Sequence, residues 1–219
     1  MAEISSKTAA RTRRKPTQAR SLERVNRILD VSEEMFVKKG YAATTTKAIA
    51  SQAKVPIGSL YQFFPDKEAI LQALAERYSD LLYRQLQSFD TPGMAQISLA
   101  NYVDRVTDEI EKFFSEHPGY YAVFMEVQAR MPEVNNADDA RLIRTMATLL
   151  PKRNPSLNAE DYEAIAFVMV KAMGNLMWIS LGQPADFRQR LVKETKRLTL
   201  NYLQSYFSVE SSEAENISL

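Results

Sequence analysis

Apolar residues recur along this chain at three- and four-residue spacing, in blocks separated by Pro, Gly and small polar residues. That period belongs to amphipathic helices. The first block, 21–39, sets Leu22, Val25, Ile28, Leu29, Met35 and Phe36 on one stripe. Lys38 and Lys39 fall in its last turn, and Gly40 stands where a left-handed residue closes a helix. Two short blocks follow. One spans 45–53, with Thr44 or Thr45 as a hydroxyl cap and Ile49 and Ala50 facing inward. The other spans 56–63, with Pro56 expected at the first helical position, where its missing N–H costs nothing. Leu60 and Phe64 are its anchors, and Lys54 and Val55 form the turn between the two. Asp66 is expected to cap a fourth, long helix that carries Ile70, Leu71, Leu74, Tyr78, Leu81, Leu82 and Phe89 and stops at Thr91-Pro92-Gly93.

The rest of the chain repeats the period in five more blocks, 96–116, 120–129, 138–150, 158–181 and 186–207. Breaks fall at His117-Pro118-Gly119, Met131-Pro132, Pro151 with Pro155, and Gly182 with Pro184. Asn158 suits the cap of the longest of these helices. No stretch alternates at the strand period, so the expected class is all-α. The first 18 residues have no apolar period and carry Lys7, Arg11, Arg13, Arg14 and Lys15, the composition of a disordered basic arm. The expected organisation is this arm at 1–18, a helix-turn-helix domain at 19–67, a helical domain at 68–207 and a flexible tail at 208–219.

Composition narrows the chemistry. The 219 residues include no Cys and a single His, His117, and the net charge is +1. Thiolate zinc sites and Ser-His-Asp or Cys-His catalysis therefore lack their parts. There is no Gly-rich phosphate loop. No metal site or cofactor is expected, and the chain does not read as an enzyme. No run reaches the roughly 20 apolar residues of a membrane helix, and no secretory signal is apparent, which fits a cytoplasmic protein that does not engage a membrane. The charge is unevenly placed. Residues 1–67 carry 13 Lys or Arg against 6 Asp or Glu, and the remainder 15 against 21. A basic first third suggests that this end meets a polyanion.

Two short helices joined by a three- or four-residue turn form the helix-turn-helix unit, whose second helix enters the DNA major groove. Here Ile57, Gly58 and Ser59 occupy the first turn of that helix, with Tyr61 and Gln62 on the same face. Gly58 lets backbone approach a base or phosphate, Ile57 suits a thymine methyl and Ser59 a polar base edge. Thr44, Thr45, Thr46, Lys54 and Lys67 complete the expected DNA-contacting set, as phosphate partners at helix starts and the turn.

Residues 21–74 resemble the TetR family of bacterial transcriptional regulators. The resemblance rests on Phe36, Gly40 and Tyr41, on Thr44-Thr45, on Ile49-Ala50, on the run from Val55 to Tyr61 with Phe64, and on Asp66 to Glu68. The aromatic residue often found after Tyr61 is Gln62 here. The resemblance implies a homodimer on a near-palindromic double-stranded operator, with the last two long helices forming a four-helix dimer bundle. The helix at 158–181, apolar nearly all round, is consistent with burial on two sides. The resemblance also implies a repressor released by a small molecule. A hydrophobic or aromatic effector would be met by Tyr102, Phe113, Phe114, Tyr121, Phe124, Met125, Met146, Met173 and Trp178, with Glu126, Gln128, Arg130 or Asn175 as the polar groups that orient it. Alternatives are a helical protein-interaction module, a TetR-like activator without an inducer, and an enzyme built on a helical bundle.

Overall fold

The computed structural model describes residues 19–87, 93, 96–152 and 155–207; side chains at 135–138 are likewise outside the description. The expected basic arm, the C-terminal tail and the stop at 91–92 fall outside these residues. The described chain is helical: α1 (Ala19–Lys39), α2 (Thr46–Gln52), α3 (Ile57–Phe63), α4 (Lys67–Gln87), α5 (Leu99–Glu116), α6 (Tyr120–Arg130), α7 (Pro132–Leu149) with a 3-10 turn at Leu150–Lys152, α8 (Ala159–Ser180) and α9 (Ala185–Gln204). The expected break at Met131-Pro132 does separate two helices, but the second, α7, begins at Pro132 itself rather than at 138. It sits where a helix's first N–H has no partner anyway, so proline is tolerated there.

The chain folds as two compact units that interleave in sequence. One takes the described residues up to Asp80 together with Pro118–Asn135, and the other takes Leu81–His117 with the residues from Asn136 onward. The division therefore differs from a cut at 67/68. The first turns of α4 and all of α6 belong with the helix-turn-helix, because their apolar faces complete its core.

In the first unit that core is built from Ile28, Leu29, Met35 and Phe36 of α1, Ile49 and Ala50 of α2, Leu60 and Phe63 of α3, Ile70, Leu71, Leu74 and Tyr78 of α4, and Val123 and Val127 of α6. Gly40 closes α1 at φ +79°, and its N–H donates to the Phe36 carbonyl at 3.0 Å. Asp66 caps α4 by accepting from the Ala69 N–H at 2.7 Å. A polar tie joins α1 and α4. Arg77 of α4 pairs with Asp30 and Glu33 of α1 at 2.5 Å each, and the Tyr78 hydroxyl donates to Glu33 at 2.5 Å. Gly119, at the start of α6, lies so close that a Cβ there would collide with the Glu33 carboxylate. Burial, and then the bond to Glu33, push the Tyr78 phenol well above its ordinary range.

In the second unit α8 and α9 pack side by side, and Val103, Ile143, Leu150, Tyr162, Ile165, Ala166, Met169, Leu203 and Phe207 form its core. Ion pairs lace α9 to α5: Lys196 to Asp104 at 3.1 Å and Asp108 at 2.8 Å, and Arg188 to Glu111 at 3.5 Å. The stripe of α8 that enters the core leaves Phe167, Val168 and Ile179 exposed on other faces, and α9 leaves Phe187 and Leu198 exposed.

Candidate nucleic-acid interface

The turn between α2 and α3 is fixed by backbone bonds. Ala53 N–H donates to Ile49 O at 2.8 Å and Val55 N–H to Ala50 O at 3.0 Å. Lys54, between them, adopts φ +54°, a left-handed conformation that a non-glycine residue enters at a cost of roughly 1–2 kcal/mol. Pro56 follows with ψ 138°, outside the helix. Its carbonyl accepts from the Ser59 and Leu60 N–H groups at 2.9 and 3.1 Å, so Pro56 is the cap and not the first helical residue as the sequence suggested. Thr45 caps α2 in the more usual way, its hydroxyl accepting from Ala48 N–H at 3.2 Å.

The same geometry sorts the faces of α3. Leu60 and Phe63 are buried, while Ile57 (41 % exposed), Gly58, Tyr61 (42 %) and Gln62 face solvent and Ser59 is half-buried. A Cβ built on Gly58 would meet nothing within 4 Å, so the glycine leaves its surface open rather than serving internal packing. The Tyr61 hydroxyl lies 3.0 Å from the Thr46 hydroxyl, a bond across the two helices. Lys54 is exposed in the turn. Lys47, absent from the expected set, is exposed in the first turn of α2; a basic residue beside Thr46 was the sequence signal for it.

Two members of the expected set are turned inward. Thr44 is 1 % exposed, and its hydroxyl donates to Gly40 O at 2.8 Å. A buried hydroxyl already bonded to a carbonyl has nothing to offer a phosphate. Lys67 is half-buried, and its ammonium donates to the carbonyls of Tyr41 at 2.6 Å and Thr44 at 2.8 Å. It also lies 4.1 Å above the Tyr41 ring, a cation–π contact. Lys67 is thus a clamp on the α1–α2 connection. Burial and the nearby Arg130 hold its ammonium below the usual lysine range. Arg130, at the end of α6, shares the same ring at 4.7 Å while its Nε donates to Glu126 at 2.8 Å. Sequence reading considered Arg130 only as a ligand-orienting group. Tyr41, Ala42, Asp66, Lys67, Glu68 and Arg130 line one shallow depression.

Two short helices at this spacing, a left-handed turn residue and an outward face of small, aromatic and amide side chains make a helix-turn-helix. Residues 28–74 match the profile of the bacterial regulatory proteins, tetR family, and residues 98–203 match the tetracyclin repressor-like C-terminal domain. The chain belongs to the TetR family. It is 31 % identical over 111 residues to the HTH-type transcriptional regulator UidR of Escherichia coli (strain K12), covering 49 % of this chain and 53 % of that protein. To the uncharacterized HTH-type regulator YvkB of Bacillus subtilis it is 43 % identical over 53 residues, 24 % of this chain and 28 % of that one. The chain thus spans about half of UidR or less of the other curated relatives. Solved structures match more fully. A TetR-family transcriptional regulator from Streptomyces coelicolor is similar at TM-score 0.66 and 26 % identity, covering 85 % of this chain and 98 % of that one. One from Pectobacterium atrosepticum reaches TM-score 0.70 at 16 % identity, over 89 % and 99 % of the two chains, and speaks for the fold alone. Family members are regulators and not enzymes.

The expected effector residues do not fall in one unit of this TetR-family fold. Tyr121, Phe124 and Met125 lie on α6 in the first unit, and the other six in the second. Phe113, Phe114 and Met173 are buried, and Phe113 packs its ring 4.6 Å from that of His117. The Tyr102 hydroxyl meets the Met146 sulfur at 3.8 Å, and Trp178 Nε1 donates to Asn175 at 3.0 Å. Met125 is exposed, and Phe124 stacks on Tyr120.

Proposed function

We propose that this chain is a DNA-binding transcriptional regulator of the cytoplasm whose α3 reads a near-palindromic operator. One observation carries the reading. α3 presents Ile57 and open Gly58 from its first turn, and Tyr61 and Gln62 from its second, outward from a helix whose other face is locked into the core by Leu60 and Phe63. A recognition helix must be rigid on one side and bare on the other, with its N-terminal residues at base edges. Lys54, Lys47 and Thr45 flank that face and supply the phosphate contacts that set register.

The functional form is a homodimer through α8 and α9. Phe167, Val168 and Ile179 of α8 and Phe187 and Leu198 of α9 are large apolar side chains left exposed in the single chain. Gly174, with open space where a Cβ would stand, permits a close helix crossing. Among the described residues α8 also meets the length and hydropathy of a membrane-crossing helix, yet a third of that stretch is buried in the unit. A second copy accounts for the remaining apolar face without a bilayer. The output is repression, relieved when a small hydrophobic or aromatic molecule binds among the aromatic and Met side chains of α5, α7 and α8. Such a molecule acts by preferring one conformation over the one DNA prefers. Selecting duplexes from a random 30-bp pool and titrating the enriched sequence tests the proposal. Binding that weakens steeply with salt supports it; failure to enrich any duplex refutes it.

A further inference from the structure

Half-buried Thr46 and exposed Tyr61 carry hydroxyls whose oxygens lie 3.0 Å apart at the surface, one on the first turn of α2 and one on the outward face of α3. Two hydroxyls hold two protons, and one of these is used between them. The pair therefore always has one O–H left to point outward. We propose that Thr46 is a positioning residue: its hydroxyl donates to the Tyr61 oxygen, and the Tyr61 O–H, so oriented, donates to a single non-bridging phosphate oxygen of the operator backbone. This rests on the DNA-binding reading above and assigns the chemical group that this side of α3 meets.

Chemistry fixes the direction of the chain of bonds. A phenol, with a pKa near 10, is a far stronger donor than an aliphatic alcohol, so beside an anion it is the phenol proton that goes to the phosphate. Thr46 donating into the phenol oxygen polarises that O–H further. The alternative order would put the weaker donor on the stronger acceptor. Geometry supplies the rest. Tyr61 is 42 % exposed, and the bond to Thr46 restricts where its hydroxyl points. Both helices are themselves anchored, α2 by Ile49 and Ala50 and α3 by Leu60 and Phe63, so the two oxygens are presented from a rigid frame. Neither group is charged, so the contact adds affinity without releasing counterions.

A mutant cycle on the full-length protein, read with the duplex enriched by the wild type, tests this. Tyr61→Phe is expected to weaken binding roughly tenfold per protomer, as loss of one charge-assisted hydrogen bond does. Thr46→Val weakens it by less, roughly three- to fivefold per protomer, and Thr46→Ser restores wild-type affinity within about twofold. In the Tyr61→Phe background Thr46→Val costs nothing further. The salt slope stays at the wild-type value in all four variants, whereas Lys47→Ala lowers it by about 1 per protomer. Both positions are on the surface, so the melting temperatures stay level and separate binding from folding. Independent, multiplying losses for the two substitutions overturn the inference, because Thr46 then meets the DNA by itself. So does full affinity in Thr46→Val. If the wild type enriches no duplex, the DNA-binding reading fails and this inference with it; if it enriches one and the losses multiply, this inference alone fails.

Discussion

Replacing Lys67 with Met separates two roles that the same lysine could play in a helix-turn-helix protein. Methionine keeps the alkyl stem over the Tyr41 ring and removes the ammonium. The structure gives that ammonium two acceptors, the carbonyls of Tyr41 and Thr44, at 2.6 and 2.8 Å. A hydrogen bond to a charged group contributes roughly 1.5–3 kcal/mol where water is kept out. Lys67 is half-buried, so water replaces part of what is lost, and the two bonds together are worth about 2 kcal/mol. The lost cation–π contact, about 0.5 kcal/mol at a partly exposed site, is offset by relief of the repulsion from Arg130 above the same ring. In a chain of this size, 2 kcal/mol corresponds to a melting temperature lower by about 4–8 °C. The assay is a thermal melt followed by circular dichroism, paired with DNA titrations across salt. A clamp predicts the lower melting temperature, weaker binding and an unchanged salt slope. Lys67→Met melting with the wild type while the slope falls by about 1 per protomer would refute the clamp and make Lys67 a phosphate contact.

Lys54→Gly relieves a left-handed residue, so it is expected to raise stability by about 0.5–1 kcal/mol while lowering operator affinity and its salt dependence; a melt and a titration check the opposite signs. Tyr78 holds its proton above the ordinary tyrosine value of 10.0, so the folded chain keeps a proton that the unfolded chain releases. That contribution to stability is present at neutral pH and declines as pH rises beyond about 10; Tyr78→Phe flattens the alkaline limb of melting temperature against pH. Phe167→Asp combined with Leu198→Asp places charge on both exposed apolar stripes of the last two helices and is expected to turn a dimer into a monomer in sedimentation; a persisting dimer would move the interface elsewhere.

Much of this architecture is legible in residue order. The α1 stripe from Ile28 to Phe36 (Leu22, expected on it, is exposed), Gly40 beyond it, the Thr45, Asp66 and Asn158 caps and the paired short helices all follow from period and local chemistry, which act within a few residues. What escaped reading depends on neighbours that are distant in sequence. Thr44 and Lys67 have the right side chains for a phosphate, but whether a hydroxyl or ammonium faces outward depends on which carbonyl the fold brings near. Arg130 looked like a ligand group because nothing local links it to Tyr41; α6 reaches that ring only because its Val123 and Val127 complete the core of the first unit. The two prolines at helix starts show the limit of a local rule. Pro56 caps from outside at ψ 138° whereas Pro132 is the first residue of its helix, a difference that composition does not encode.

The reading face of α3 is tested most directly by repeating the duplex selection with Ile57→Ala and Gln62→Ala proteins. If these side chains meet base edges, each variant relaxes the base preference at one or two positions in each half-site and leaves the others as in the wild type. An unchanged sequence preference in both variants would contradict the assignment of α3 as the helix that reads DNA.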